Sequence, residues 1–362
     1  MMPVPVREYK QSGGSSAKTS CDRPASGHSA LYLLLSAALL ILAVAPLHAV
    51  NCTTQASLPQ ADRDALLAAA NPIANAIAEQ EPAYIQANLL PAVSGDWESI
   101  RGVAQAAIPL FKGGRVYWGD GYLLDATDLK APTDTEFFCT NTDSNVTMTI
   151  SLRSLPAGRY ALLIGDYEGA PLAGQVALIL GADATNGNKW KLGGLFVREG
   201  ALEGHDGVWY WRHAREFAKQ KSAGAEWSAW FSYDFARWLL LPIDFLSSPN
   251  LEKLNKEQSL LGPNPTESLP LTVTGTGADA GRSWRITALR IDTTLHSADL
   301  GLEYEGTGIS EPIPARAEAI AVMSALLKLH PELRDNFHGL WAYAEKDGKR
   351  NYAIELAMHD IP

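Results

Sequence analysis

Residues 204–254 read GHDGVWYWRHAREFAKQKSAGAEWSAWFSYDFARWLLLPIDFLSSPNLEKL, and five of the chain's ten tryptophans (Trp209, Trp211, Trp227, Trp230, Trp238) fall within them. Aromatics this large are either buried or used as a recognition surface. His205-Asp206-Gly207 is a turn, and Asp206 stands where a carboxylate caps a helix. The spacing predicts a helix over Val208–Lys221, broken at Gly224, and a second over Ala225–Leu241, stopped by Pro242. A short third helix is expected at Asn250–Gln258. Trp227, Trp230, Phe231, Asp234 and Trp238 recur at steps of three and four, one helical stripe, and read as a packing seam. Trp209 and Trp211 point about 200° apart on a helix, so one of them is expected to face a groove or solvent. Trp209, Tyr210 and Trp211 are therefore the candidate recognition cluster. His205 with Asp206 is the adjacent acid–base couple beside it, a candidate for proton transfer. Arg212 and Glu216, four apart, read as a surface ion pair.

Upstream, Pro59–Gln80 carries apolar residues at helical spacing, with Pro72 expected to kink or split the helix. A shorter piece follows at Tyr84–Leu89. Asp96–Leu110 reads as another helix, with Asp96 as its cap. From Arg115 the period changes to 2. Strands are expected at Val116–Trp118, Tyr122–Asp125, Thr135–Thr140, Val146–Leu152 and Tyr160–Ile164. Gln175–Gly181 and Lys189–Arg198 form a hairpin across Asn186-Gly187. The order is helices, then an antiparallel meander.

That order, with the late strand Trp190-Lys191-Leu192-Gly193-Gly194, resembles the nuclear-transport-factor-2-like (cystatin-like α+β) superfamily over residues 60–200. The resemblance implies helices on one face of a curved sheet, enclosing a cone-shaped pocket. Some members of that superfamily are isomerases or dehydratases using Asp–His pairs; many others are binding or dimerisation modules. No Asp–His pair can be assigned here, because there is no histidine between Cys52 and Glu203. Asp120 and Asp125 are the acids placed to line such a pocket. The rival architecture is a PAS-like sensory domain. The helical pair at 204–258 is similar to a single tetratricopeptide-type hairpin, which must pack on a neighbour because one repeat cannot stand alone.

Downstream, residues 259–270 read as a linker. The Gly275–Gly281 segment lacks the Lys-Ser/Thr of a phosphate loop and reads as a hairpin loop. Strands at Trp284–Thr293 and Ala298–Tyr304, a helix at Pro314–Leu329, and a hairpin of Leu340–Glu345 with Tyr352–Met358 across Asp347-Gly348 make a small C-terminal α+β layer over 271–362. The expected fold class is α+β throughout: a cystatin-like domain at 58–203, a helical hairpin at 204–258, and this layer.

The N-terminus sets the compartment. Residues 1–29 are polar and basic, and 30–49 contain an apolar run from Leu31 to Ala49. This reads as a signal peptide or, alternatively, as an uncleaved anchor. Either way the body is expected outside the cytoplasm, periplasmic or extracellular. Cys52 and Cys139 are then an even pair in an oxidising compartment and a candidate disulfide. The net charge is −10 over the whole chain; residues 1–49 hold four basic and two acidic residues, leaving 26 basic against 38 acidic beyond them. An acidic body argues against nucleic-acid binding and against docking on anionic lipid by charge, so membrane contact is expected only through the N-terminal segment.

The chain has no Gly-x-Ser-x-Gly, His-Glu-x-x-His or Cys-x-x-Cys motif and no EF-hand loop. His205 and His213, eight apart, lack the spacing of a metal pair. No catalytic residue, metal or cofactor is assigned. The expected role is non-enzymatic binding or scaffolding, with an envelope protein or a small ligand as partner. The alternatives are a hydrolase or isomerase using the cone pocket, and a carbohydrate-binding module stacking sugar on Trp209 and Trp211.

Overall fold

Gln60–Ala78 folds as one helix, α1, running through Pro72. The expected split does not occur. Leu66, Ala70, Ile73, Ala74 and Ile77 are buried along one side and hold the helix together. The carbonyl that Pro72 leaves without its helical donor belongs to Ala68, an exposed residue. This computed structural model describes residues 50–362 except 221, 223, 263, 264 and 310. The expected leader and the signal or anchor segment, residues 1–49, lie outside the described residues, as do position 221 and two positions of the expected linker.

Two shorter helices follow, α2 (Pro82–Ala87) and α3 (Trp97–Ala106), then a single turn, α4 (Ile108–Phe111). The helix expected over Asp96–Leu110 is thus two pieces, because Pro109 has no N–H to continue the ladder. Asp96 sits at the cap position without a capping side-chain bond; the chain enters α3 from a 3-10 turn at Pro91–Asp96.

The strands of this half form two sheets, where a single meander was expected. β1 (Asn51–Thr54), β2 (Arg115–Asp125), β5 (Arg159–Glu168), β6 (Gly174–Asp183) and β7 (Lys189–Glu199) pair antiparallel in the order β1-β2-β5-β6-β7. The hairpin β3 (Thr133–Asn141) and β4 (Val146–Leu155) leaves that sheet and pairs with a two-residue strand, β10 (Leu246–Ser247). The reason lies in the apolar runs. Leu123, Ala161, Leu163, Val176 and Leu178 pack on the helices, while the alternate residues Tyr122, Leu124, Leu162, Ile164 and Ala177 pack on Phe137, Ile150 and Leu155 of the second sheet. A sheet covered on both faces reads as a continuous apolar run, which hides the second layer from any pattern of alternation. Gly193 is the extra residue of a bulge opposite Ile179/Leu180, and it brings both Leu192 and Leu195 to the helix side.

A disulfide joins Cys52 on β1 to Cys139 on β3, with Cα atoms 5.1 Å apart, and so ties the edge of one sheet to the other. Cys139 is fully buried.

After the two-residue strands β8 (Ala201–Leu202) and β9 (His205–Asp206) come α5 (Gly207–Lys219), α6 (Ala225–Leu240) and α7 (Pro249–Ser259). Asp206 caps α5 by accepting from the Trp209 amide at 2.7 Å. A Cβ on Gly207 would lie 2.6 Å from Leu240 Cγ, so this glycine sets how closely α5 meets α6. The tryptophan stripe on α6 is one part of a wider contact. Trp227, Ala229, Phe231, Tyr233, Phe235, Ala236 and Leu239 are all buried, which covers most of the helix circumference.

The C-terminal sheet runs in sequence order: β11 (Leu271–Thr274), β12 (Ser283–Asp292), β13 (Asp299–Glu305), β14 (Gly339–Lys346), β15 (Lys349–Ala357). Only the pair β13 and β14 is parallel, and α8 (Pro312–Leu329) makes the crossover between them. The aromatic residues of α6 and the buried side of α8 share one hydrophobic cluster with this sheet. The described residues form one compact α+β unit. Among them, no helix is long and apolar enough to cross a membrane.

Candidate functional site

The aromatic stretch does not present one surface. Tyr210 is buried, with its hydroxyl donating to the Leu202 carbonyl at 3.3 Å. Trp211 is half-buried; its Nε1 donates to Glu257 at 2.8 Å, and the Arg215 guanidinium lies 4.4 Å over its ring. Arg215 binds the same carboxylate through Nε at 2.7 Å and Nη2 at 2.8 Å, and these bonds hold the Glu257 carboxyl below its ordinary value. Trp209 is stacked between His205, at 3.7 Å and 8°, and His213, at 4.5 Å and 22°. A sugar needs a free indole face, and Trp209 has imidazoles on both. The two histidines are separated by the indole and share no metal position.

His205 and Asp206 are not brought together: the carboxylate caps α5 and the imidazole stacks on Trp209. Glu216 lies 3.8 Å from His213, not against Arg212. Burial holds the His213 imidazole below its ordinary value, with His205 adding to the effect and Glu216 opposing it.

A cleft of about 290 Å³ opens between α1 and β2. Its walls are Leu58, Leu66, Leu67, Val116, Trp118 and Leu163, with Tyr117 at the rim and 65% exposed. Trp118 is oriented by its Nε1, which donates to Asn71 Oδ1 at 2.8 Å. Arg63 is the charged side chain on its wall. The Arg63 Nη2 donates to the Gln55 carbonyl at 3.0 Å and the Leu58 carbonyl at 3.4 Å, its Nε is buried without a partner, and no carboxylate pairs with it among the described residues. A second, more polar cleft shares Gln55, Arg63 and Gly121 with the first. Asp120, Asn141, Ser144 and Thr54 line it, and the Thr54 hydroxyl is buried without a partner. Asp120 is therefore in the polar cleft; burial raises its carboxyl, with help from Asp166. Asp125 instead binds Thr127, which holds its carboxyl low. Sequence reasoning misses Arg63 and Asn71. Their signal is nonetheless present: both stand in line with Leu66 and Leu67 on an apolar helix face.

Two further groups gather titratable side chains from distant parts of the chain. Glu199, 5% exposed, accepts from Trp238 Nε1 at 2.8 Å and meets His296 Nδ1 at 2.8 Å. It thereby joins β7, α6 and the β12–β13 loop. At the ends of three neighbouring strands, Asp299, His338 and Glu355 bring a carboxylate, an imidazole and a second carboxylate together, their donor atoms all within 4.8 Å of one another. His338 Nδ1 is 3.2 Å from Asp299 Oδ1. Asp299 is fully buried and its Oδ2 has no hydrogen-bond partner. The Trp341 indole N–H, near enough to lower the Asp299 carboxyl, stays outside hydrogen-bonding geometry and is itself unpartnered. Burial nevertheless raises the Asp299 carboxyl overall, and it raises Glu355 too, with the Asp299 charge adding to the second. No motif spacing marks these residues, since strand pairing across α8 assembles them. Comparison of the chain with family models, curated proteins and solved structures finds no match.

Proposed function

We propose that this chain is an extracytoplasmic binding protein whose ligand is a small amphiphilic anion held in the cleft between α1 and β2. The observation that carries the reading is Arg63, a guanidinium with no carboxylate partner among the described residues, on the wall of a mostly apolar cleft. Ligand sites are concave and mostly apolar, with few polar groups that fix orientation. Here the apolar part of a ligand lies against Leu66, Leu67 and Trp118, and its anionic group meets Arg63 where the polar cleft begins. The Arg63 Nη2 is already held by the Gln55 and Leu58 carbonyls, which fixes the guanidinium in place and leaves its charge to attract a carboxylate or sulfonate through a charge-assisted contact.

The reading agrees with the pocket implied by the cystatin-like resemblance and does not depend on it. The disulfide supports an oxidising compartment.

The probe for this site is 1-anilinonaphthalene-8-sulfonate, an apolar anion whose emission rises on binding. The full chain is expected to bind it at a single site. Arg63→Gln weakens binding about tenfold, in line with loss of a charge-assisted contact. Leu67→Trp fills the cleft and abolishes binding. Equal affinity in the wild type and both variants refutes the assignment.

A further inference from the structure

We propose that Asp299, His338 and Glu355 form a binding site for one divalent transition-metal ion of the zinc class. The placement is set by the backbone. Asp299 opens β13, His338 immediately precedes β14, and Glu355 lies on β15, three strands adjacent in the C-terminal sheet. The His338 backbone is pinned on both sides: its N–H donates to the Ala298 carbonyl at 2.9 Å, and its carbonyl accepts from Met358 at 2.9 Å. The three donors therefore come from rigid elements, as a preorganised site requires.

The donor set is one imidazole nitrogen and two carboxylate oxygens within 4.8 Å of one another. Zinc bonds such ligands at about 2.0–2.2 Å, which puts ligand atoms roughly 3.3 Å apart in a tetrahedron. The 3.2 Å between His338 Nδ1 and Asp299 Oδ1 already matches that spacing. A set with no sulfur and one imidazole suits zinc and neighbouring borderline ions, whereas calcium asks for 6–8 oxygens.

Two independent features mark the position as built for a cation. Asp299 is fully buried, and its Oδ2 has no donor; no lysine or arginine pairs with it among the described residues. A buried carboxylate left so is costly unless something positive meets it. Gly339 is the second feature. A Cβ there would lie 2.4 Å from Glu355 Oε1 and 2.9 Å from Asp299 Oδ1, so a side chain at this position would occupy the space between the two carboxylates. The His338 side chain is 47% exposed, which opens the position to solvent and leaves room for water as a further ligand.

The test uses the full chain, stripped with a chelator and titrated with zinc chloride in a calorimeter, with cobalt(II) absorption as a second readout. The wild type is expected to take up one equivalent lost on mutation at this site, and to show the visible bands of low-coordinate cobalt. His338→Ala and Glu355→Gln each weaken that binding at least tenfold. The double variant His205→Ala/His213→Ala leaves it unchanged. Zinc also raises the melting temperature of the wild type but not of Glu355→Gln, a protein whose folding is checked by circular dichroism without metal. Absence of zinc heat and cobalt bands, or binding that survives undiminished in both His338→Ala and Glu355→Gln, overturns the proposal.

Discussion

Asp234 shows how one side chain can make stability depend on pH. It lies on α6 and accepts from Gln258 Nε2 at 2.6 Å. Burial pushes its carboxyl up to about 6 from an ordinary value of 3.8, against the opposing pull of Gln258, Arg237 and Trp230. The native state thus holds this proton more tightly than the unfolded chain does. That contribution is complete below pH 3.8 and is lost as the pH rises through about 6. Asp234→Asn keeps the acceptor for Gln258 and removes the buried charge. The variant is expected to gain about 1–3 kcal/mol over the wild type at pH 7, because each tenfold change in proton affinity is worth ~1.4 kcal/mol. At pH 4 most of that gain is absent. Urea denaturation at the two pH values measures the difference, and an equal gain at both would exclude Asp234 as its source.

Among the elements, β1 is held by more than its four pairs to β2. The disulfide from Cys52 closes a loop of 87 residues onto β3. Closing a loop of that length restricts the unfolded chain by about 4–5 kcal/mol in the chain-entropy model. Cys52→Ala/Cys139→Ala is therefore expected to lower the melting temperature by about 7 °C. Reductant should lower that of the wild type similarly and leave the variant unchanged. A variant that melts with the wild type would show that pairing to β2 alone secures β1. The α6 helix makes the complementary point. Its stripe of tryptophans was readable as a seam, but its burial on most sides was not. Ser228, Ser232 and the alanines between the aromatics are buried as well, and no periodic pattern separates such residues from solvent-facing ones.

For the whole molecule, α6 and Glu199 decide how the two halves are coupled. Phe231 is 1% exposed, stacks edge-on to Phe337 at 5.4 Å, and belongs to the cluster shared with the C-terminal sheet. Glu199 meets Trp238 through Oε2 and His296 through Oε1 at the same junction. Phe231→Ala should cost about 3–5 kcal/mol, the range for removing a buried aromatic ring. Tryptophan emission and far-ultraviolet circular dichroism are expected to lose structure together, in one transition, in both proteins. Two separated transitions would mean that the sheet of β1 to β7 and the C-terminal sheet unfold independently.

Local chemistry in the sequence was enough to determine the α+β class, the α5–α6 turn at Gly224, the Asp206 cap and the Asn186-Gly187 and Asp347-Gly348 hairpins, and it made Cys52 and Cys139 a candidate disulfide. Each rests on residues close in the chain or on a count of cysteines. The tertiary structure alone decided the departure of β3–β4 into a second sheet and the grouping of Asp299, His338 and Glu355. Burial on both faces of a sheet erases the alternation that would reveal a second layer. Side chains 39 residues apart, such as Asp299 and His338, meet only because β13 and β14 pair in parallel across α8, and that pairing leaves no spacing in the sequence to read.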